Sequence, residues 1–255
     1  MTTEDFISAL FYRVDEAMRD MPKHPLANLW PSEIVTLGLL FALKGVGTRA
    51  LYRWVHRDLR CLFPAVPERT RLFRLLALHQ QWTEEFLANP SVLGVVDSYG
   101  SELLHPMREG RSAQQIGRKG KSNQRWIVGG KLCLLLNHLG LVVAWDCAGA
   151  KAPGTALHPM IEAFANDMIV LSDEGFHAKE GDPRNLKLCR RGTWNTRMLV
   201  ETVLSMLTGV CHLKKSLHRT WAAFQARLAF TLAAFNLLVQ WHGLKPDVQD
   251  IIRLS

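Results

Sequence analysis

Val92-Leu93-Gly94-Val95-Val96-Asp97 and, further along, Met168-Ile169-Val170-Leu171-Ser172-Asp173 are the two stretches that decide the fold. Each is a short, β-branched apolar run that stops at an aspartate, so each reads as a buried strand with an acid at its C-terminal end. That end is where α/β folds put their chemistry, because the backbone stops and the side chain faces a crevice. An ionised carboxylate beside an apolar strand is costly unless a cation compensates it, and two of them suggest a divalent metal. The competing reading is that each aspartate only caps the turn that follows it.

Outward from these runs the pattern is mixed. Arg125 to Leu136 and Leu141 to Trp145 flank Asn137-His138-Leu139-Gly140 and predict a hairpin. Gly154 to Ala165 reads as helix, Asn185 to Cys189 as a short strand, Asn195 to about Leu213 as a helix, and Leu217 to Trp241 as a long one. Residues 1–90 read as helices only. Thr3 can cap a first helix running to about Met21, and Pro31 and Ser32 open a second ending near Lys44. Gly45 and Gly47 break the second helix, and Thr48 caps a third, with Leu51, Val55 and Leu59 on one face and Arg49, Arg53 and Arg57 on another. Pro67 starts a fourth, with Arg69, Arg71 and Arg74 in its first turns, that ends at Asn89-Pro90. The expectation is a helical region, 1–90, followed by an α/β domain, 91–255.

A third acid joins the two aspartates. From Arg184 to Arg227 the chain carries nine basic residues, among them Arg197, Lys214 and Lys215, and a single acid, Glu201. Glu201 sits beside a helical face made by Val200, Val203, Leu204 and Leu207. It is either the i,i+4 partner of Arg197 or a metal ligand among DNA-contacting cations. A second basic group, Arg108, Arg111, Arg118, Lys119, Lys121, Arg125 and Lys131, stands against Glu109 alone, with Gly110, Gly117 and Gly120 expected to keep this loop flexible. Phosphate contact is its simplest use. Arg118-Lys119-Gly120-Lys121 lacks the spacing of a nucleotide-binding P-loop.

With 31 lysines and arginines against 23 acids, the net charge of +8 favours a polyanionic partner, nucleic acid before membrane. The five cysteines form no Cys-x-x-Cys pair, which speaks against a zinc ribbon or a disulfide framework and for reduced core thiols. Met1 to Leu10 carries early acids and no basic leader, so no signal peptide is expected. The longest uncharged apolar run, Leu228 to Leu244, is interrupted by Thr231, Asn236, Gln240 and His242 and falls short of a membrane span. The tryptophans mostly read as core.

Two strand-end aspartates, a helical glutamate and this element order resemble the RNase H-like catalytic core of DDE transposases of bacterial insertion sequences and of retroviral-type integrases, over roughly residues 92–240. Val95-Val96-Asp97-Ser98 resembles the first motif and Leu171-Ser172-Asp173-Glu174-Gly175-Phe176 the second, where the family often has Asp-x-Gly-Tyr. Trp194, Arg197 and Glu201 resemble the signature around the third acid, Tyr-x-x-Arg-x-x-x-Glu followed seven residues later by Lys. Trp194 replaces that tyrosine and Thr208 stands where the lysine would be. The resemblance implies an RNase H-like mixed sheet preceded by a helical DNA-binding region. It implies that Asp97, Asp173 and Glu201 together hold two Mg²⁺ ions, with Mn²⁺ as a substitute, and that Asp97 bridges them. It implies cleavage of insertion-sequence ends and strand transfer into target DNA by a homodimer on double-stranded DNA, in a bacterial cytoplasm at the nucleoid, with no membrane partner. Arg49, Arg53, Arg69, Arg71, Arg74, Arg118, Lys119, Lys121, Arg125, Arg197, Lys214 and Lys215 are the expected DNA contacts. The two helices around Gly45-Val46-Gly47 could be a helix-turn-helix, and the fourth helix competes with them as groove reader. The alternatives are a nuclease of the same fold without joining, and a DNA-binding protein that has lost turnover.

Overall fold

Alternation along one long central strand organises the sheet. In the computed structural model, which describes residues 2–105, 107, 109–110, 117–122, 125–189, 196–215, 218 and 220–243, strand β1 runs Leu93–Leu104. On one side it pairs antiparallel with β3, Arg125–Asn137, from Gly94↔Asn137 to Leu104↔Val128. The outer edge of β3 is shared by β2, Arg118–Ser122, and β4, Val142–Gly149. On its other side β1 pairs parallel with β5, Ile169–Ser172, and β5 pairs parallel with β6, Leu186–Leu188. The order is β2-β3-β1-β5-β6, with β4 beside β3. The molecule is therefore mixed α/β, with an antiparallel half and a parallel half meeting at β1.

Two sequence expectations change here. β1 does not stop at Asp97, because β3 is long enough to pair with it seven residues further, to Leu104. Arg118–Ser122 is a strand rather than a flexible loop, and Gly120 serves close packing: a Cβ on it would overlap the Ala150 carbonyl. The hairpin is as expected. Asn137 Oδ1 accepts from the Leu139 and Leu141 amides, both at 3.0 Å, and Gly140 takes a positive φ of 72°.

Helices cover the sheet and precede it. α1 spans Thr3–Ala17 and is capped by Thr2, not Thr3, whose hydroxyl takes the Asp5 amide while Asp5 takes the Thr2 amide. α2 spans Pro31–Lys44 and ends at Gly45 in the left-handed conformation. α3 spans Thr48–Asp58, with Gly47 at its N-cap rather than Thr48. α4 begins at Arg69 and stops at Leu78; Glu68 caps it, and a 3₁₀ segment, Gln80–Phe86, continues the chain. α5, His158–Glu162, lies between β4 and β5, and α6, Thr196–Gly209, and α7, Trp221–Trp241, follow β6.

α7 is apolar on all sides, which a helix tolerates only when enclosed. It is long and apolar enough to cross a bilayer, because Trp221–Arg227 extends the apolar run at its N-terminal end, but 78% of its most apolar stretch is buried in the protein. It packs against α2, α4, the 80–86 segment and β4. The regions expected at 1–90 and 91–255 consequently share one hydrophobic core, containing Leu10, Leu39, Leu51, Leu72, Leu134, Val203 and Phe230. Gly38 of α2 lies so close to Phe230 of α7 that a Cβ there would overlap the ring. A second, smaller core on the opposite face of the sheet holds Val96, Cys133, Leu135, Ile161, Val170 and Phe176.

Candidate functional site

Strand parity and register bring the two aspartates together. Val95 belongs to the large core and Val96 to the small one, so alternation turns Asp97 to the large-core face with Val95. Its cross-strand partner Leu134 lies in that core too. In the parallel half the last pair is Val95↔Leu171. Carried on by two residues, this register sets Asp173 level with Asp97 and on the same face, on strands about 5 Å apart. Asp97 is thus not at a strand end, as the sequence suggested, but at the point where the parallel pairing gives out while the antiparallel pairing continues. Asp173 does follow the end of its strand.

Asp97 is half-buried and its Oδ1 accepts from the Ser98 amide at 2.6 Å. Asp173 is exposed, and its Oδ1 accepts from the Gly175 amide at 2.9 Å, so it caps the 3₁₀ turn Glu174–Phe176. The capping role anticipated as an alternative is real for Asp173; it occupies one carboxylate oxygen. Burial, and then the nearby Asp97 and Asp146 carboxylates, push the Cys133 thiol well above its ordinary pKa.

Glu201 stands apart from this pair. α6 packs across β1 through Leu199, Val200, Val203 and Leu207, and Glu201 is exposed, one position round from Val200. Among the described residues no group of three or more His, Cys, Asp or Glu side chains is gathered closely enough to hold a metal ion. The expected convergence of three carboxylates is therefore not found: Glu201 is exposed on the adjoining helix, apart from the two aspartates. The pair itself suits a hard divalent cation, since it offers carboxylate oxygens on one level of one face.

The basic residues divide by location. Arg118, Lys119, Lys121 and Arg125 are exposed on the β2–β3 ribbon. Lys119 and Lys121 pair with Val128 and Trp126, which puts them on the same sheet face as the aspartates. Trp126 is 59% exposed, contrary to the expectation of a core residue, with Lys119 Nζ 5.4 Å from its ring centre. Lys119 also takes Glu109 at 4.0 Å, and Lys131 donates to the Ala152 carbonyl at 3.0 Å and so serves the fold. Arg49, Arg53, Arg71, Arg74 and Lys214 are exposed and Arg69 is half-buried. The side chains of Arg197 and Lys215, and Trp194, Arg108 and Arg111, lie outside the described residues.

A local pair went unread in the sequence. His177 Nδ1 lies 2.8 Å from Asp182 Oδ2, in the loop that leaves Asp173. The Ala178 amide and His177 hold the Asp182 carboxyl below its usual range. Comparison with protein-family models, curated proteins and solved structures gave no match.

Proposed function

We propose that this chain is a divalent-metal-dependent enzyme that cuts and joins DNA, a DDE-type transposase on an RNase H-like scaffold. The observation that carries the reading is the β1–β5 register, whose last pair, Val95↔Leu171, stands two residues before Asp97 and Asp173 alike. The strand order, with β1 between an antiparallel hairpin and two parallel strands, and α6 across β1, is in keeping with that scaffold. Asp97 and Asp173 are the residues to hold Mg²⁺, with Glu201 as the third ligand supplied from α6. Bound there, the metal would neutralise charge on the attacking and leaving oxygens of a phosphodiester. Lys119 and Lys121 share that face and hold the DNA backbone, while Arg118 and Arg125 alternate to the other face of the ribbon. In the first step water adds to phosphorus and the bond to the 3′-oxygen breaks, leaving a 3′-OH. In the second that hydroxyl attacks a target phosphorus, a new phosphodiester forms and the bond to the target strand's 3′-oxygen breaks, and that oxygen leaves as a 3′-OH.

The test is strand analysis of a supercoiled plasmid carrying the DNA that flanks the gene, incubated with the full chain and Mg²⁺ or Mn²⁺. Nicks at the ends followed by joined product are expected. Nicks without joined product would reduce the reading to a nuclease. Unbroken plasmid under every condition, with retained binding, would leave a DNA-binding protein without turnover, the second reading, which the exposed position of Glu201 favours.

A further inference from the structure

The sequence left open which N-terminal helix meets DNA. α2 and α3 are joined by three residues, Gly45 to Gly47, and their axes bend by 118° across that connection. Two helices at about 90–120° joined by three or four residues including glycine make the helix-turn-helix unit. The two members have opposite environments. α2 is buried along nearly its whole length and packs on α7, so it is the supporting helix. α3 is anchored by the buried Leu51 and Val55, with Tyr52 and Trp54 packed in part against the core. On the opposite side, at helical spacing, it exposes Arg49, Arg53, His56 and Arg57, and Arg60 follows just past its end. Asp58 is its one acid, and it is held by Arg57 Nε at 2.6 Å.

α4 has a different character. The Glu68 carboxylate closes its N-terminus by accepting from the Thr70 and Arg71 amides, which sets negative charge where a phosphate would approach. α4 also packs against α2, α3 and α7. The N-terminus of α3 carries no acid in its first turn, and nothing lies within 4 Å of where a Gly47 Cβ would be.

We propose that α3 is the sequence-reading helix of a helix-turn-helix, laid in the major groove of duplex DNA, with Arg53 at the centre of its base-contacting face. The proposal rests on the reading of the chain as a DNA-acting protein and adds how it chooses its DNA. A major groove about 12 Å wide admits one α-helix. Arg49 and Arg53 stand one turn apart, about 6 Å along the axis, so they reach neighbouring base pairs. Arginine is the side chain whose planar fork binds both O6 and N7 of guanine, which a lysine cannot match. Arg57 and Arg60 lie further along the helix, where the groove wall brings phosphates.

The experiment is selection from a pool of random-sequence 40-base-pair duplexes by the full chain in EDTA, so that cutting plays no part. The unmodified chain should enrich a motif containing guanine. Arg53→Ala should bind the selected motif at least tenfold more weakly and lose its preference at one or two positions. Arg53→Lys keeps the charge and removes the fork; it should lose the same preference with an unchanged salt dependence. Arg71→Ala with Arg74→Ala on α4 should weaken binding evenly and select the same motif. Circular dichroism melts like that of the unmodified chain confirm that these surface variants are folded. The proposal is overturned if no motif is enriched, if Arg53→Lys selects the original motif at full affinity, or if the α4 variant rather than the α3 variants changes the motif. A chain that selects its motif yet never nicks DNA would sink the transposase reading and leave this one standing.

Discussion

The interior around α7 and the sheet face that carries Asp97 and Asp173 use polar groups in opposite ways. Around α7 they tie distant segments together. Asn236, fully buried, accepts from the Val142 amide at 2.9 Å and donates to the Val142 and Phe86 carbonyls at 2.8 and 3.0 Å. Arg227, also buried, donates to the Phe41 and Ala42 carbonyls, the open end of α2, and lies 4.2 Å from the centre of the Phe41 ring. Asp97 and Asp173, by contrast, accept from backbone amides one and two residues away. A polar group that bridges segments far apart in sequence is holding the fold.

That contrast breaks most decisively at the carboxylates. Asp97→Asn should lower Mg²⁺-dependent cleavage by about three orders of magnitude and leave the melting temperature equal or slightly higher, because one negative charge is removed from a repulsive group. Glu201→Gln should follow it in activity. If Glu201 were instead only a partner of Arg197, its loss would cost at most about 1 kcal/mol at an exposed site and cleavage would persist. Strand cleavage measured beside melting curves separates the two, and a large drop in the stability of Asp97→Asn would put Asp97 with the α7 residues.

The α7 residues should behave in reverse. Arg227→Met leaves two buried carbonyls without their charged donor, at a cost of about 3 kcal/mol or more, so the midpoint should fall by roughly 10 °C. Asn236→Leu strands the Val142 amide and should cost about 2 kcal/mol. Thermal melts check both, and unchanged midpoints would show that these bonds contribute nothing net.

A smaller effect should appear with pH. Burial, and then the Arg227 guanidinium, push the His218 imidazole down to about 4. The folded chain keeps His218 neutral while the unfolded chain protonates it below about 6.5. Stability from this group is therefore complete above pH 6.5 and is lost as the pH falls toward 4, by about 3 kcal/mol. His218→Phe keeps the ring beside Phe41 and should flatten that part of the profile; an equally steep decline in the variant would assign it to other groups.

The smallest effect belongs to the ribbon. Lys119→Ala with Lys121→Ala should reduce the slope of log affinity against log salt, measured on a fluorescent 30-base-pair duplex, by about two units. A slope that does not move would take β2 off the DNA.

What the sequence revealed and what it hid follow a physical division. The Asn137–Gly140 hairpin and the start and end of α2 at Pro31 and Gly45 were legible, because a short-range backbone conformation demands those residue types. The strand that ends at Ser172, just before Asp173, was legible as well, since its apolar run is short and β-branched. The continuation of β1 to Leu104 was not, for Ser98–Leu104 has no apolar run of its own and is held as strand by β3. β2 was hidden for a similar reason: five residues rich in lysine and glycine read as loop until a partner supplies the hydrogen bonds. Glu201 was correctly placed beside an apolar helical face, but how far α6 is rotated on β1 depends on tertiary packing, which periodicity does not contain. Nor could periodicity tell that the N-terminal helices close over α7 instead of forming a body of their own.

Gly45 has a consequence beyond the end of its helix. Its bare α-carbon lets the His212 ring, from the segment after α6, lie directly against the turn between α2 and α3. With that contact and the shared α7, there is no tether between the arginine-bearing helix and the sheet. A tethered reader sets a reach, and the hydrolysed bond can fall anywhere within it; here the two ends are the jaws of a caliper. If α3 reads bases and Asp97 holds the metal, as proposed, the offset between the two would be a dimension of the protein, and a nick would follow the recognised sequence base pair for base pair when that sequence is moved along the DNA.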